Sequence, residues 1–229
     1  MGYSSIMLNL VPDRLWTDFS PMNMVGIPAG RRLTVCKDGV GQITVFSPLP
    51  CSDENVAKLR RIGEPTAFVI PSRFHDNFYE DYMGRFPRSA FLADKAVLGD
   101  HPRWRLMNLS PSRPELAGFD MVAIDGMPNV QEHVFCHRAT RTLIVADLFF
   151  NVSLPAGGLA WCLGKLAGIG GRPKPSRLWR AMIRDRSNFR RSLCQIMELD
   201  FERIIPGHGE LIESNAKQVL GDAFSNWLV

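Results

Sequence analysis

The chain has 229 residues, 45% of them hydrophobic, with a formal net charge of +4 at pH 7 and a pI near 8.9. That length carries one α/β domain with a sizeable core, and that hydrophobic content excludes a disordered chain. No apolar run is long enough to span a membrane, and the mild basic excess suits a small anionic substrate; with no basic–aromatic motif, it argues against nucleic acid.

The first residues show no basic region followed by an apolar stretch, so no signal peptide is expected. Ile6 stands where a myristoylation motif wants Ser or Thr. The N-terminal part then holds turn signals and strands. A strand is predicted over 32–36, and Asp38-Gly39 is a hairpin signal before a second strand over 42–47. Ser52 reads as a helix N-cap, with Asp53 and Glu54 in the first turn. Val56, Leu59 and Ile62 form one apolar face, and Gly63 stops the helix. The strand at 66–70 runs into a polar cluster, Ser72-Arg73-Phe74-His75-Asp76-Asn77. A short helix over 77–85 and a strand over 89–93 follow. Residues 99–114 are polar and Pro-rich and read as a loop between sheet halves, with His101 at the surface.

Strands are predicted over 119–124, 132–136 and 142–147. The last places Asp147 inside the apolar run from Leu143 to Phe150. Burying an ionised carboxylate without a partner costs several kcal/mol or more, so Asp147 is expected to meet a cation, a metal or strong donors. Cys136-His137 is no nucleophile–base pair, because neighbours on a strand point to opposite faces. The cysteines at 36, 51, 136, 162 and 194 lack CxxC spacing and read as reduced thiols, which predicts a cytoplasmic protein. Residues 151–176 are apolar, Gly-rich and poor in charge. They read as a lid, a lipid-facing surface or a dimer contact, or else as a packed helix with glycines at close contacts. Eight basic residues between Arg172 and Arg191, with apolar residues at helical spacing, predict an amphipathic helix capped by Ser176. Its basic face is either solvated or a patch for phosphates, nucleic acid or an acidic membrane surface. Near the C-terminus Ile204-Ile205 ends a buried strand, Pro206 breaks it, and His208 sits between Gly207 and Gly209. The flanking glycines leave the histidine uncrowded, which suits a group presented to a cleft; an incidental turn is the other reading. A last helix is predicted over 213–228.

Three strand ends thus offer His75, Asp147 and His208. In this order, over roughly residues 30–215, they resemble the metallo-beta-lactamase fold superfamily of metallohydrolases, as a diverged member with a degraded metal motif. The resemblance implies a four-layer αββα sandwich, one domain over residues 1–229, with an insertion at about 151–176 overhanging the site. Set against the superfamily's histidine-rich loop, Arg73 replaces the first histidine and His75 keeps the second. Asn77 replaces the aspartate and Phe78 the last histidine. Asn129 falls where a further histidine belongs, with His133 as a shifted candidate. Asp147 and His208 keep their positions.

A conventional two-metal site, with ions about 4 Å apart, is therefore not expected. The resemblance implies a hydrolase with one divalent ion (zinc, iron or manganese) on His75, Asp147 and His208, helped by Asp76 or His133. Asp147 and His208 would act in catalysis, and Arg73 and Asn77 would hold a small, anionic substrate. The alternative is a metal-free binding module in which Arg73 pairs with Asp147. A homodimer or peripheral contact through 154–171 fits either reading.

Overall fold

In the computed structural model, residues 7–24, 26–154 and 156–228 are described. The first half begins with β1 (Leu8–Val11), β2 (Leu15–Ser20), a small hairpin of β3 (Asn23–Met24) and β4 (Ile27–Pro28), then β5 (Arg31–Lys37) and β6 (Ile43–Phe46). It continues as βα units: α1 (Asp53–Ile62), β7 (Ala67–Val69), α2 (Tyr79–Arg85), β8 (Ala90–Ala93), α3 (Lys95–Asp100) and the edge strand β9 (Met107–Asn108). These strands form one sheet in the order β1-β2-β5-β6-β7-β8-β9. It is antiparallel up to β6 and parallel from β6 to β9, because the helices supply the crossovers that parallel neighbours require. The second half contributes β10 (Phe119–Ala123), β11 (His133–His137) and β12 (Thr142–Val145). Then come α4 (Gly158–Ala167), α5 (Arg177–Ala181), α6 (Arg186–Glu198), β13 (Arg203–Pro206), α7 (Ala216–Ala223) and α8 (Ser225–Leu228). Here the order is β10-β11-β12-β13, with β13 parallel to β12.

The alternation of side chains along the strands sets the layers. Leu33 and Val35 of β5 and Ile43 and Val45 of β6 face Val56 and Leu59 of α1 and Tyr79 and Tyr82 of α2. Cys36 and Phe46, on the opposite face, meet Phe119, Phe135, Ile144 and Ile205 of the second sheet. That sheet's outer face, with Val134, Cys136, Leu143 and Ile204, packs on Trp179, Phe189, Leu193, Leu220 and Phe224. The result is the αββα sandwich, with an apolar seam between two sheets whose central strands are buried on both faces. Among the described residues no helix is long and apolar enough to cross a membrane.

Several local expectations are corrected. The basic stretch is two helices, because the N–H groups of Arg184 and Asp185 turn to the Gly126 carbonyl and Asp185 starts α6 by accepting from Ser187 and Asn188. The last helix breaks at Phe224 into α7 and α8. Residues 99–114 are not all loop: α3, capped by the Asp94 carboxylate, ends at Asp100, and β9 pairs with β8.

Candidate metal centre

Four strand ends meet at one rim of the sandwich. Ser47 follows β6, the 71–78 loop follows β7, Asp147 follows β12 and His208 follows β13. The Nε2 atoms of His75 and His208 lie 3.2 Å apart, and each is 3.5 Å from Asp147 Oδ1. All three side chains are buried, and theirs is the one group among the described residues able to hold a metal ion with three ligand atoms.

The outward nitrogens fix the rings. His208 Nδ1 is 2.6 Å from the Gly30 carbonyl oxygen, which can only accept, so Nδ1 carries a proton and Nε2 is the nitrogen turned to the cluster. His75 Nδ1 is 2.7 Å from Ser47 Oγ. Ser72 Oγ donates to Asp147 Oδ2 at 3.0 Å, which leaves Oδ1 for the imidazoles. Burial pulls the His75 pKa below its ordinary value, against the field of Asp147. Burial alone would raise the Asp147 pKa, but the two imidazoles outweigh it and hold the carboxyl well below the usual carboxylate range. Electron-rich atoms converging at these distances repel one another unless a proton or a cation is shared among them. An ion with bonds of about 2.1 Å holds neighbouring donors about 3.0–3.4 Å apart, octahedral to tetrahedral. The donor set therefore fits a divalent ion.

The backbone around the site is built for close approach. A Cβ on Gly207 would lie 2.6 Å from His75 Cε1 and 2.7 Å from the Ala146 carbonyl oxygen. Gly209 has φ +88°, and its Cβ would meet the Asn151 carbonyl oxygen at 2.0 Å. Ser47 (φ 49°) and Phe78 (φ 73°) adopt left-handed backbone without being glycine, a strain that concentrates at functional sites. Buried Glu132 accepts hydrogen bonds from the backbone N–H groups of Ala146, Asp147 and Leu148 and so pins the Asp147 turn. Burial first, and then the charge of Asp147, pushes the Glu132 pKa up to about 8.

The other residues expected at the site go elsewhere. Arg73 does not pair with Asp147: its guanidinium forms a two-pronged ion pair with Asp100, at 2.7 Å for each contact. Asp76 pairs with His101 at 2.8 Å, and His101 stacks on Trp104. His133 lies 3.9 Å from Asp94 and outside the cluster, and Asn129 is exposed. Asn77 does reach the site, on the wall of a cleft of about 570 Å³ that also exposes Asp147, His208 and Arg31 among largely apolar side chains. Sequence reasoning missed Ser47, Arg31 and Glu132. The one local sign of Ser47 was the Ser-Pro end of its strand.

No family model matches the chain, and no curated protein does. Solved structures do. The DIM-1 metallo-beta-lactamase exposed to ceftazidime superposes with a TM-score of 0.60 at 15% identity, covering 96% of each chain. A metallo-beta-lactamase from Pontibacter korlensis gives 0.63 at 9% identity, covering 95% of this chain and 96% of that one. A diflavin flavoprotein fragment from Nostoc gives 0.64 at 13% identity, covering 93% and 92%. The chain has the metallo-beta-lactamase fold.

Proposed function

We propose that the chain is a metal-dependent hydrolase with a mononuclear centre on His75, Asp147 and His208. The observation that carries this reading is the convergence of two Nε2 atoms and one carboxylate oxygen at 3.2–3.5 Å, each braced from behind. Two imidazoles and a carboxylate suit zinc, iron or manganese. Such an ion supplies Lewis acidity toward a carbonyl or phosphoryl oxygen and makes water acidic enough to deprotonate near neutral pH. Ser47 and the Gly30 carbonyl keep the imidazoles oriented, which is the usual task of groups behind metal ligands. Asp147 and His208, both on the cleft wall, would act in catalysis as ligands that present the ion to the substrate. Asn77 offers its amide to a polar substrate group. The 151–176 segment, whose Leu163 and Ala167 line the same cleft, serves as its lid. The five cysteines are unpaired, which supports a reducing, cytoplasmic setting.

A second reading has one observation in its favour. A proton shared among the same three atoms would also relieve their repulsion, and the charge of buried Arg31 favours ionised Asp147 without any metal. The chain would then be a metal-free binding module. Elemental mass spectrometry of the wild type and a His75→Ala/Asp147→Ala/His208→Ala variant separates the two. We expect close to one ion per wild-type chain and none in the variant, followed by turnover of esters, lactones or phosphodiesters. A wild type that stays metal-free after incubation with zinc, iron(II) and manganese(II) would overturn the hydrolase reading and leave the binding module.

A further inference from the structure

Two arginines stand on the cleft wall. Arg177 donates to the Leu166 carbonyl oxygen at 3.2 Å. The Arg31 guanidinium forms no hydrogen bond or ion pair with any described residue, although the residue is only 4% exposed. Its Nε and Nη2 are buried without partners among the described residues. Its guanidinium carbon lies 5.5 Å from the centroid of the Phe78 ring. An aromatic face does not replace acceptors for a group with five N–H donors. The nearest carboxylates are already engaged, Asp147 with Ser72 and the imidazoles and Asp76 with His101. Burial lowers the Arg31 pKa, and the fields of Tyr79, Asp147 and Asp76 work the other way. A desolvated cation of this kind is costly unless an anion meets it.

The rest of the wall says what kind of anion. Ile27, Phe74, Phe150, Leu163 and Met182 give the cleft a continuous apolar lining, and about 570 Å³ lies within the range of small-molecule sites. A small inorganic anion would leave that lining wet. We infer that the cleft binds an amphipathic anion, its carboxylate or phosphate head on Arg31 and its hydrocarbon part on the apolar wall. This rests on the hydrolase reading only in making that molecule the substrate or product; the binding itself needs no metal. It also moves the anion-holding role from Arg73, which Asp100 occupies, to Arg31.

The test is calorimetric titration of chelator-treated protein with decanoate, decyl phosphate, decan-1-ol and inorganic phosphate. At least one amphiphilic anion should bind about tenfold or more tighter than the alcohol, as a charge-assisted hydrogen-bond pair implies. The tighter of the two identifies the head group, and inorganic phosphate should bind far more weakly than either. Arg31→Gln should bring the anions to the level of the alcohol and leave the alcohol within about twofold of wild type. Equal binding of alcohol and anions by wild type would overturn the inference, as would inorganic phosphate binding as tightly as decyl phosphate. So would an Arg31→Gln protein, folded by near-ultraviolet circular dichroism, that keeps the preference. If that variant does not fold, the wild-type comparison still decides. The titration uses chelator-treated protein and reads binding alone, so a failed metal assay and a failed anion assay are separate results.

Discussion

Glu132 carries more of the site than its place in the chain suggests. One carboxylate oxygen, Oε1, accepts from three successive backbone N–H groups, those of Ala146, Asp147 and Leu148. Removing it strands buried donors, so Glu132→Ala should cost at least about 2 kcal/mol of stability by urea denaturation. Glu132→Gln keeps an acceptor oxygen in place and should cost much less. If the two variants lose the same stability, Glu132 does not act through those hydrogen bonds. His137 gives a pH prediction. It is buried, its Nδ1 meets Thr140 Oγ1 at 2.9 Å and its Nε2 has no partner among the described residues. Burial lowers its pKa from the ordinary 6.5 to about 4, despite the opposing field of Asp38. The unfolded chain therefore binds the proton first. The contribution of His137 to stability is complete above about 6.5 and is lost as pH falls toward about 4. His137→Gln should flatten the decline of melting temperature across that window; an unchanged slope would remove His137 as its source. At this scale the sequence was legible where chemistry is local. Asp147 was visible as a carboxylate in an apolar strand, and His208 as a histidine between glycines. Glu132 was not, because its partners lie across the β11–β12 pairing, and no neighbour in the chain marks Arg31 as buried.

The strand ends do the positioning, and their glycines are not interchangeable. Gly207 yields space, since a Cβ there would run into His75 and the Ala146 carbonyl. Gly209 has both a left-handed backbone and a neighbouring carbonyl, that of Asn151, where its Cβ would go. Gly209→Ala should therefore cost more than the about 1–2 kcal/mol of left-handed strain alone. Chemical denaturation reads that loss directly, and a variant as stable as wild type would show that the turn can rearrange. Long periodic elements were legible in the sequence: Ser52 caps α1 through the N–H of Asn55, and Val56 and Leu59 are buried as its apolar face predicts. The breaks between α5 and α6 and between α7 and α8 were not, since apolar spacing continues through both. What ends α5 is the Gly126 carbonyl, some sixty residues away and invisible to any local pattern.

At the scale of the whole molecule, the three contacts between the four layers are closed and one outer face is not. The outer sides of α4 and α5 expose Leu159 (74%), Leu166 (69%) and Leu178 (73%), with Trp161 beside them. Lys165, Arg172, Lys174, Arg177 and Arg180 converge on a neighbouring groove. Their crowding is visible at Lys174, whose pKa is lowered by burial first and then by the other four cations. Apolar side chains rimmed by basic ones suit the surface of an anionic bilayer, where the apolar residues enter the head-group boundary and the cations meet phosphates. Leu166 and Leu178 also line the mouth of the cleft, so the same face would connect a bilayer to the apolar wall beside Arg31. The expected outcome is co-sedimentation with vesicles of equimolar phosphatidylserine and phosphatidylcholine, weaker binding to phosphatidylcholine alone and release as salt rises. Leu159→Ser/Leu166→Ser/Leu178→Ser should weaken that binding by about tenfold or more, since a buried leucine side chain contributes about 1.5–3 kcal/mol and partial insertion yields part of it. Sedimentation equilibrium on the same proteins separates the competing use of this face. A wild-type dimer that becomes a monomer in the triple variant, with no vesicle binding by either, would assign α4 and α5 to self-association and leave the cleft to draw its ligand from water.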